Sequence, residues 1–178
     1  MRITNLLSIA TAVAFVSCAT AHASEVKIEG VHICCGQCVN IAQSTLKAVE
    51  GVSNGKADKD SGTITLTAAD DKAAAAAIDA LAKAGFRGTA KHGDKALEFP
   101  GANVGKGTKA DTVAIAGVHL CCPACYRAAE ETLKKVDGVA AVNSDKKTKT
   151  LEVTGKGIDV NAALEALFNA GFQASVKK

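Results

Sequence analysis

Six cysteines and two histidines fall in two nine-residue strings, GVHICCGQC at 30–38 and GVHLCCPAC at 117–125. Gly, Val, His and all three Cys keep register between them. Each string gathers soft ligands at one place: His32, Cys34, Cys35 and Cys38 in the first, His119, Cys121, Cys122 and Cys125 in the second. The seventh cysteine, Cys18, lies in the leader, so no thiol remains for a bridge elsewhere. Three cysteines within five residues leave an odd thiol in each string, which a purely structural disulfide framework does not explain. Soft thiolates favour Cu(I), Zn(II) and related ions over hard cations. Two sulfurs suit the low coordination of Cu(I), and a third, from Cys34 or Cys121, would make a trigonal site. Adding His32 or His119 completes the one-His, three-Cys tetrahedron of structural zinc. The sequence leaves these sets open. It also leaves open a plainer role for His32 and His119, as loop imidazoles bonded to backbone, and for Cys34 and Cys121, as small buried hydrophobes.

The spacing of Cys35 and Cys38, and of Cys122 and Cys125, places each pair across the start of a helix. Unpaired N–H groups and the positive end of the dipole there stabilise thiolate, the metal-binding form. Pro123 marks the second helix start independently, because the first helical position has no use for an N–H.

The elements that hold these loops follow from periodicity. Val26 and Ile28 alternate with Lys27 and Glu29, a half-buried strand ahead of the first loop. After the loop, Val39, Ala42, Leu46 and Val49 make the apolar stripe of a helix that Gly51 ends. Val52 to Asp58 and Thr63 to Thr67 read as strands, and Asp70 or Asp71 caps a second helix running through Ala73 to Ala84. Gly85 stops it and Phe86 opens a fourth strand. The second unit repeats each step 87 residues on, with Tyr126, Ala129, Leu133 and Val136 as its stripe and Gly171-Phe172 matching Gly85-Phe86 after a one-residue deletion. The expected fold is α+β: two ferredoxin-like βαββαβ sandwiches in tandem, each with two helices on one face of a four-stranded antiparallel sheet. The boundaries are 24–92 for the first unit, 93–111 for a hairpin arm and a flexible Gly/Lys linker, and 112–178 for the second. Phe86 and Phe172 read most simply as core residues, and isolated His92 has no functional reading.

Residues 1–23 read as a signal peptide, with a short basic start, an apolar run from Leu6 to Val16 and an Ala21-His22-Ala23 cleavage site. A lipobox ending in Cys18, which would tether the product to a membrane, is the minor alternative. The product is expected to be exported, periplasmic or secreted, and no later segment has the ~18 apolar residues of a membrane span. A net charge of +3 is too weak and dispersed to indicate nucleic acid.

With a βαββαβ order and a CxxC at the first loop-to-helix junction, the chain resembles the heavy-metal-associated (HMA) domain family, in tandem. That resemblance implies metal binding and transfer by ligand exchange through Cys35 and Cys38 and through Cys122 and Cys125. It implies a metal-transporting ATPase or another metal-binding protein as partner. The chain is expected to be a monomer and not an enzyme, since it supplies no carboxylate pair, nucleophile with its base or glycine-rich phosphate loop. It also implies an aromatic beside the metal loop, where Gly85-Phe86 and Gly171-Phe172 fall. The chain departs from the family's G-M-x-C-x-x-C: Val31 and Val118 replace Met, and the loops are two residues longer, with His and an additional Cys in the extra length. Cu(I) is the first expectation for the metal, with Zn(II), Cd(II) and Hg(II) as alternatives. The competing class is thiol-disulfide exchange, which Cys122-Pro123-Ala124-Cys125 superficially resembles. A thioredoxin-like fold needs a proline facing the motif from a later strand, and the remaining proline is Pro100 in the linker.

Overall fold

Side-chain alternation and helix capping set the elements of the computed structural model, which describes residues 23–177. The signal-peptide and Cys18 lipid-anchor readings rest on the stretch before Ser24, of which 1–22 lie outside that range. In β1 (Ser24–Glu29), Val26 and Ile28 are fully buried while Lys27 and Glu29 face solvent. β3 (Thr63–Ala68) buries Ile64, Leu66 and Ala68 on the same face and pairs antiparallel with β1, Val26 opposite Leu66 and Ile28 opposite Ile64. β2 (Val52–Asp58) pairs outside β3, and β4 (Thr89–His92) pairs on the other side of β1. A short β5 (Lys95–Leu97) closes a hairpin with β4, giving a five-stranded sheet of order β2-β3-β1-β4-β5.

Two helices cover this sheet. α1 (Gly36–Lys47) buries Cys38, Ala42 and Leu46. Its buried face therefore starts at Cys38, one position before the Val39 expected from apolarity alone, because a thiol serves as a small hydrophobe there. α2 (Asp71–Lys83) buries Ala73, Ala74, Ala77, Ile78, Leu81 and Ala82, and the Asp70 carboxylate caps it by accepting from the Ala73 N–H at 2.7 Å. Small alanines let α2 lie close to its neighbours, and the larger Ile78 and Leu81 supply much of its apolar burial, each worth about 1.5–3 kcal/mol.

The second half repeats the plan. β6 (Lys109–Ala116), α3 (Pro123–Leu133), β7 (Val139–Asp145), β8 (Thr150–Asp159), α4 (Val160–Asn169) and β9 (Ser175–Val176) form a four-stranded antiparallel sheet of order β7-β8-β6-β9 with two helices. α3 buries Cys125, Tyr126, Ala129 and Leu133, and the Asp159 carboxylate caps α4 through the Ala162 N–H at 3.0 Å. The described residues thus form a mixed α+β fold with two antiparallel sheets and four helices. Among the described residues no helix is long and apolar enough to cross a membrane.

Between β5 and β6 the chain has no regular structure, and side chains pin it. Asn103 exchanges two hydrogen bonds with the Val176 backbone, and the Pro100 carbonyl accepts from both Arg87 and Gln173. Phe99 is buried at 6% exposure. β6 begins at Lys109, inside the stretch read from sequence as linker.

Phe86 does not open β4, as its apolar character predicts. It forms an isolated antiparallel bridge with Phe172, joining the two halves just after α2 and α4. Gly85 and Gly171, at φ of 85° and 83°, turn the chain out of those helices in the left-handed region that glycine enters without penalty.

Candidate metal centre

Glycine turns and strand ends carry both cysteine loops to the junction between the halves. Gly30 and Gly117, at φ of 75° and 76°, turn the chain off β1 and β6. Val31, Ile33, Val118 and Leu120 then bury themselves at 3–6% exposure and anchor the loops. Each loop also docks against the opposite half. The His32 N–H donates to the Gly171 carbonyl at 3.2 Å, and the His119 ring meets the Ala84 carbonyl. Beside them the Gln173 N–H donates to the Gly85 carbonyl at 3.0 Å. A Cβ on Gly171 would drive into the His32 backbone, and one on Gly85 into the His119 backbone. Both glycines are therefore required by close approach as well as by backbone angle.

The aromatic pairs cross between halves. His32 stacks on Phe172 with ring centroids 4.2 Å apart, and His119 stacks on Phe86 at 4.0 Å. Each Gly-Phe thus supports the loop of the other half rather than its own. The His119 ring donates from Nδ1 to the Ala84 carbonyl at 3.1 Å. That bond leaves Nε2 as the lone-pair nitrogen, buried and without a partner, and His32 Nε2 is likewise buried and unpartnered. A histidine whose one nitrogen donates to backbone while the other holds a free lone pair has the arrangement of a metal ligand. Burial holds both imidazoles below their usual pKa, hence neutral, as ligation demands.

All six sulfurs meet here as free thiols. Within each motif, Cys35 and Cys38 are 3.6 Å apart, as are Cys122 and Cys125. Across the halves, Cys34 lies 3.3 Å from Cys122 and 3.4 Å from Cys125, while Cys38 lies 3.3 Å from Cys121 and 3.9 Å from Cys125. Cys38 and Cys125 are fully buried at the centre, and Cys34 is exposed at the edge. An adjoining cleft of about 350 Å³, lined in part by Ile41, Ala84, His119, Cys121 and Lys149, reaches the cluster from solvent.

Crowding and helix starts push these thiols in opposite directions. Cys35 and Cys122 occupy the N-cap positions of α1 and α3 in extended backbone, and Pro123 opens α3. Burial raises the Cys122 thiol, but N–H groups of Cys125 and Ala124 and the thiols of Cys34 and Cys125 together bring it down to about 6. Burial also raises Cys38, and contacts with Cys121, the Cys34 backbone, Cys35 and Cys34 outweigh it, so the net shift is down. Burial dominates at Cys34, Cys121 and Cys125, whose thiols are all raised. Sulfurs this close cannot all ionise without cations between them. The cluster is a thiol store that a soft cation would convert to thiolate.

Three groups of donors fall within 4.8 Å of one another: Cys38, His119, Cys121 and Cys125; His32, Cys34 and Cys125; and Cys34, Cys35 and Cys122. The eight residues singled out by sequence therefore gather in one place. Sequence reasoning placed Gly85-Phe86 and Gly171-Phe172 beside the loops but missed Ala84, Arg87 and Gln173 around them. Arg87 lies 3.8 Å over the Phe168 ring and donates to Gln173 Oε1 at 2.8 Å, clasping the halves beside the bridge. Its signal was the repeated Gly-Phe after each second helix, which shows where a contact forms but not which loop it meets.

Residues 112–173 match the model of the heavy-metal-associated domain. That match supports heavy-metal binding or trafficking as the work of this part of the chain. No curated protein matches the chain. Among solved structures, it is similar to oxidized MerP from Ralstonia metallidurans CH34, at 29% identity over 38% of this chain and 96% of that one, with a TM-score of 0.36. It is also similar to the N-terminal soluble domains of Bacillus subtilis CopA, at 19% identity over 88% of this chain and 95% of that one, with a TM-score of 0.34.

Proposed function

We propose, on the premise that residues 112–173 are a heavy-metal-associated domain and that 24–92 form a second unit of the same kind, that the chain is an exported soft-metal-ion binding protein. Cu(I) is its cargo, and trafficking or sequestration through thiolate sites is its work. Cys35, Cys38, Cys122 and Cys125 are the principal ligands, with Cys34, Cys121, His32 and His119 completing the coordination. The observation that carries this reading is the convergence of six free thiols and two unpartnered imidazole nitrogens. Sulfur-rich donor sets select soft, low-coordinate cations. The buried Cys38 and Cys125 suit holding, and the outer Cys34, Cys35 and Cys122 suit ligand exchange with a partner such as a metal-transporting ATPase or another metal-binding protein.

One observation favours a second metal. Cys38, His119, Cys121 and Cys125 form a one-His, three-Cys group, the donor set of structural zinc. Cd(II) and Hg(II) share the preference for sulfur. Anaerobic titration of the reduced protein with Cu(I) and with Zn(II), each against competing chelators, separates the readings. Tight Cu(I) with weak Zn(II) supports copper, and tight tetrahedral Zn(II) supports zinc. No uptake, together with a disulfide that cycles readily, would instead support thiol-disulfide exchange.

A further inference from the structure

The six cysteines lie too close together to act as two independent CxxC sites. We propose that they form one polynuclear Cu(I)–thiolate centre, shared by both halves and taking at least three ions, with Cys34 and Cys125 as bridging ligands. This deepens the soft-metal reading above and rests on it.

Three observations carry it. The sulfur contacts between halves, 3.3 Å for Cys34–Cys122 and for Cys38–Cys121, are shorter than the 3.6 Å within either CxxC pair. An ion entering one motif is therefore already within reach of the other. Second, the three donor groups overlap: Cys34 belongs to two of them and Cys125 to two. A thiolate sulfur has more than one lone pair, and a sulfur shared by two donor groups is positioned to bridge two ions. Third, charge accounting disfavours sparse loading. Two Cu(I) among six thiolates at these separations would leave four negative charges uncompensated in a partly buried cluster, or force several thiols to stay protonated beside the metal. Each further ion displaces protons from remaining thiols and offsets that repulsion.

The scaffold is built for a fixed junction between the halves. Crossed His-Phe stacks, the Phe86–Phe172 bridge, the His32 N–H bond to Gly171 and the His119 ring bond to Ala84 hold both loops at set positions before any ion arrives. Two mononuclear sites exchanging ions independently would have no need of that reciprocity. The arrangement is also not quite symmetric. Cys34 reaches Cys122, whereas the reciprocal pair, Cys35 and Cys121, shares none of the donor groups. The Cys34 side is therefore where a third ion sits, at the exposed edge of the cluster.

The test is anaerobic Cu(I) titration of the reduced full chain, followed by native mass spectrometry and X-ray absorption. The expected result is cooperative appearance of a species with three or more Cu(I), at the expense of one- and two-ion forms, with a copper–copper scattering shell. Because Cys34 is exposed, Cys34→Ser should leave the apo fold unchanged by circular dichroism while cutting the loading to two ions or fewer and weakening that shell. Two ions bound independently with no metal–metal shell would overturn the shared centre and leave the soft-metal function standing. Full loading in Cys34→Ser would overturn the bridging role. Failure of the unaltered chain to take up Cu(I) would overturn the Cu(I) reading on which the shared centre rests.

Discussion

Cys38 and Cys125 stand apart from the other four thiols because each lies within 4 Å of four other sulfurs and is fully buried. Cys35 has a single sulfur neighbour at that distance, Cys38. Replacing Cys38 with Ala should therefore weaken Cu(I) binding at least tenfold more than Cys35→Ala, about 1.4 kcal/mol, measured by chelator competition. Alanine keeps that core position apolar, whereas a buried serine hydroxyl without a partner would add a desolvation cost of about 1–3 kcal/mol and confuse the comparison. Equal losses in the two variants would mean the central sulfurs have no special share. The glycines beside the loops make a prediction of a different kind. Gly171→Ala requires a positive φ of an L side chain and pushes its Cβ into the His32 backbone. A cost of about 1–3 kcal/mol is expected from the backbone conformation alone, with the steric clash added, read as a lowered urea midpoint. The candidate donor residues stood out in the sequence because their types and register repeat. The crossing of His32 onto Phe172 was not, because periodicity reports which face of an element is buried and not which half covers it.

The helices and strands follow local rules closely enough that most were readable in advance. β2 covers Val52–Asp58, the stretch read as a strand, and Asp70, one of the two residues read as the cap, caps α2. The deviations have physical reasons. The buried face of α1 starts at Cys38 because a free thiol packs as a hydrophobe, so a count of conventional apolar residues selects Val39 instead. Phe86 is apolar and follows a helix stop, which reads as a strand, yet its partner is Phe172 some eighty residues away and its bridge is isolated. The capping carboxylates offer a clean separation between framework and site. Asp70→Ala and Asp159→Ala each remove a hydrogen bond to a helix N–H and should cost about 1 kcal/mol apiece. Neither residue belongs to the donor groups, so chemical denaturation should show the loss while chelator competition shows unchanged Cu(I) affinity. A large fall in affinity would show that the register of α2 or α4 sets the loop positions more tightly than the local contacts indicate.

Across the whole molecule, the halves meet through contacts that include two ring stacks, one strand bridge, backbone hydrogen bonds, the His119–Ala84 and Arg87–Gln173 bonds and the Arg87 clasp over Phe168. A cation on an aromatic face is worth about 0.5–2 kcal/mol, and Arg87 adds its bond to Gln173 to that tie. Metal ligated by sulfurs from both halves would add a much stronger tie. A ligand bound to the folded state alone stabilises it by about 4 kcal/mol at a thousand times its dissociation constant. The chain has no Trp and one Tyr. Tyr126, on α3, makes intrinsic fluorescence a report on the second half, while circular dichroism reports on both. For the metal-free chain carrying Arg87→Ala, the two signals should give separate urea midpoints, because the weakened junction no longer couples the halves. Loading the same variant with Cu(I) should bring the midpoints together and raise both, since neither half can then unfold without breaking thiolate bonds held in common. If the loaded curves stayed apart, with Tyr126 fluorescence shifted and the remaining transition unmoved, the metal would be held by the second half alone. Coincident curves in the metal-free variant would instead mean that the stacks and the Phe86–Phe172 bridge couple the halves without help from Arg87 or from metal.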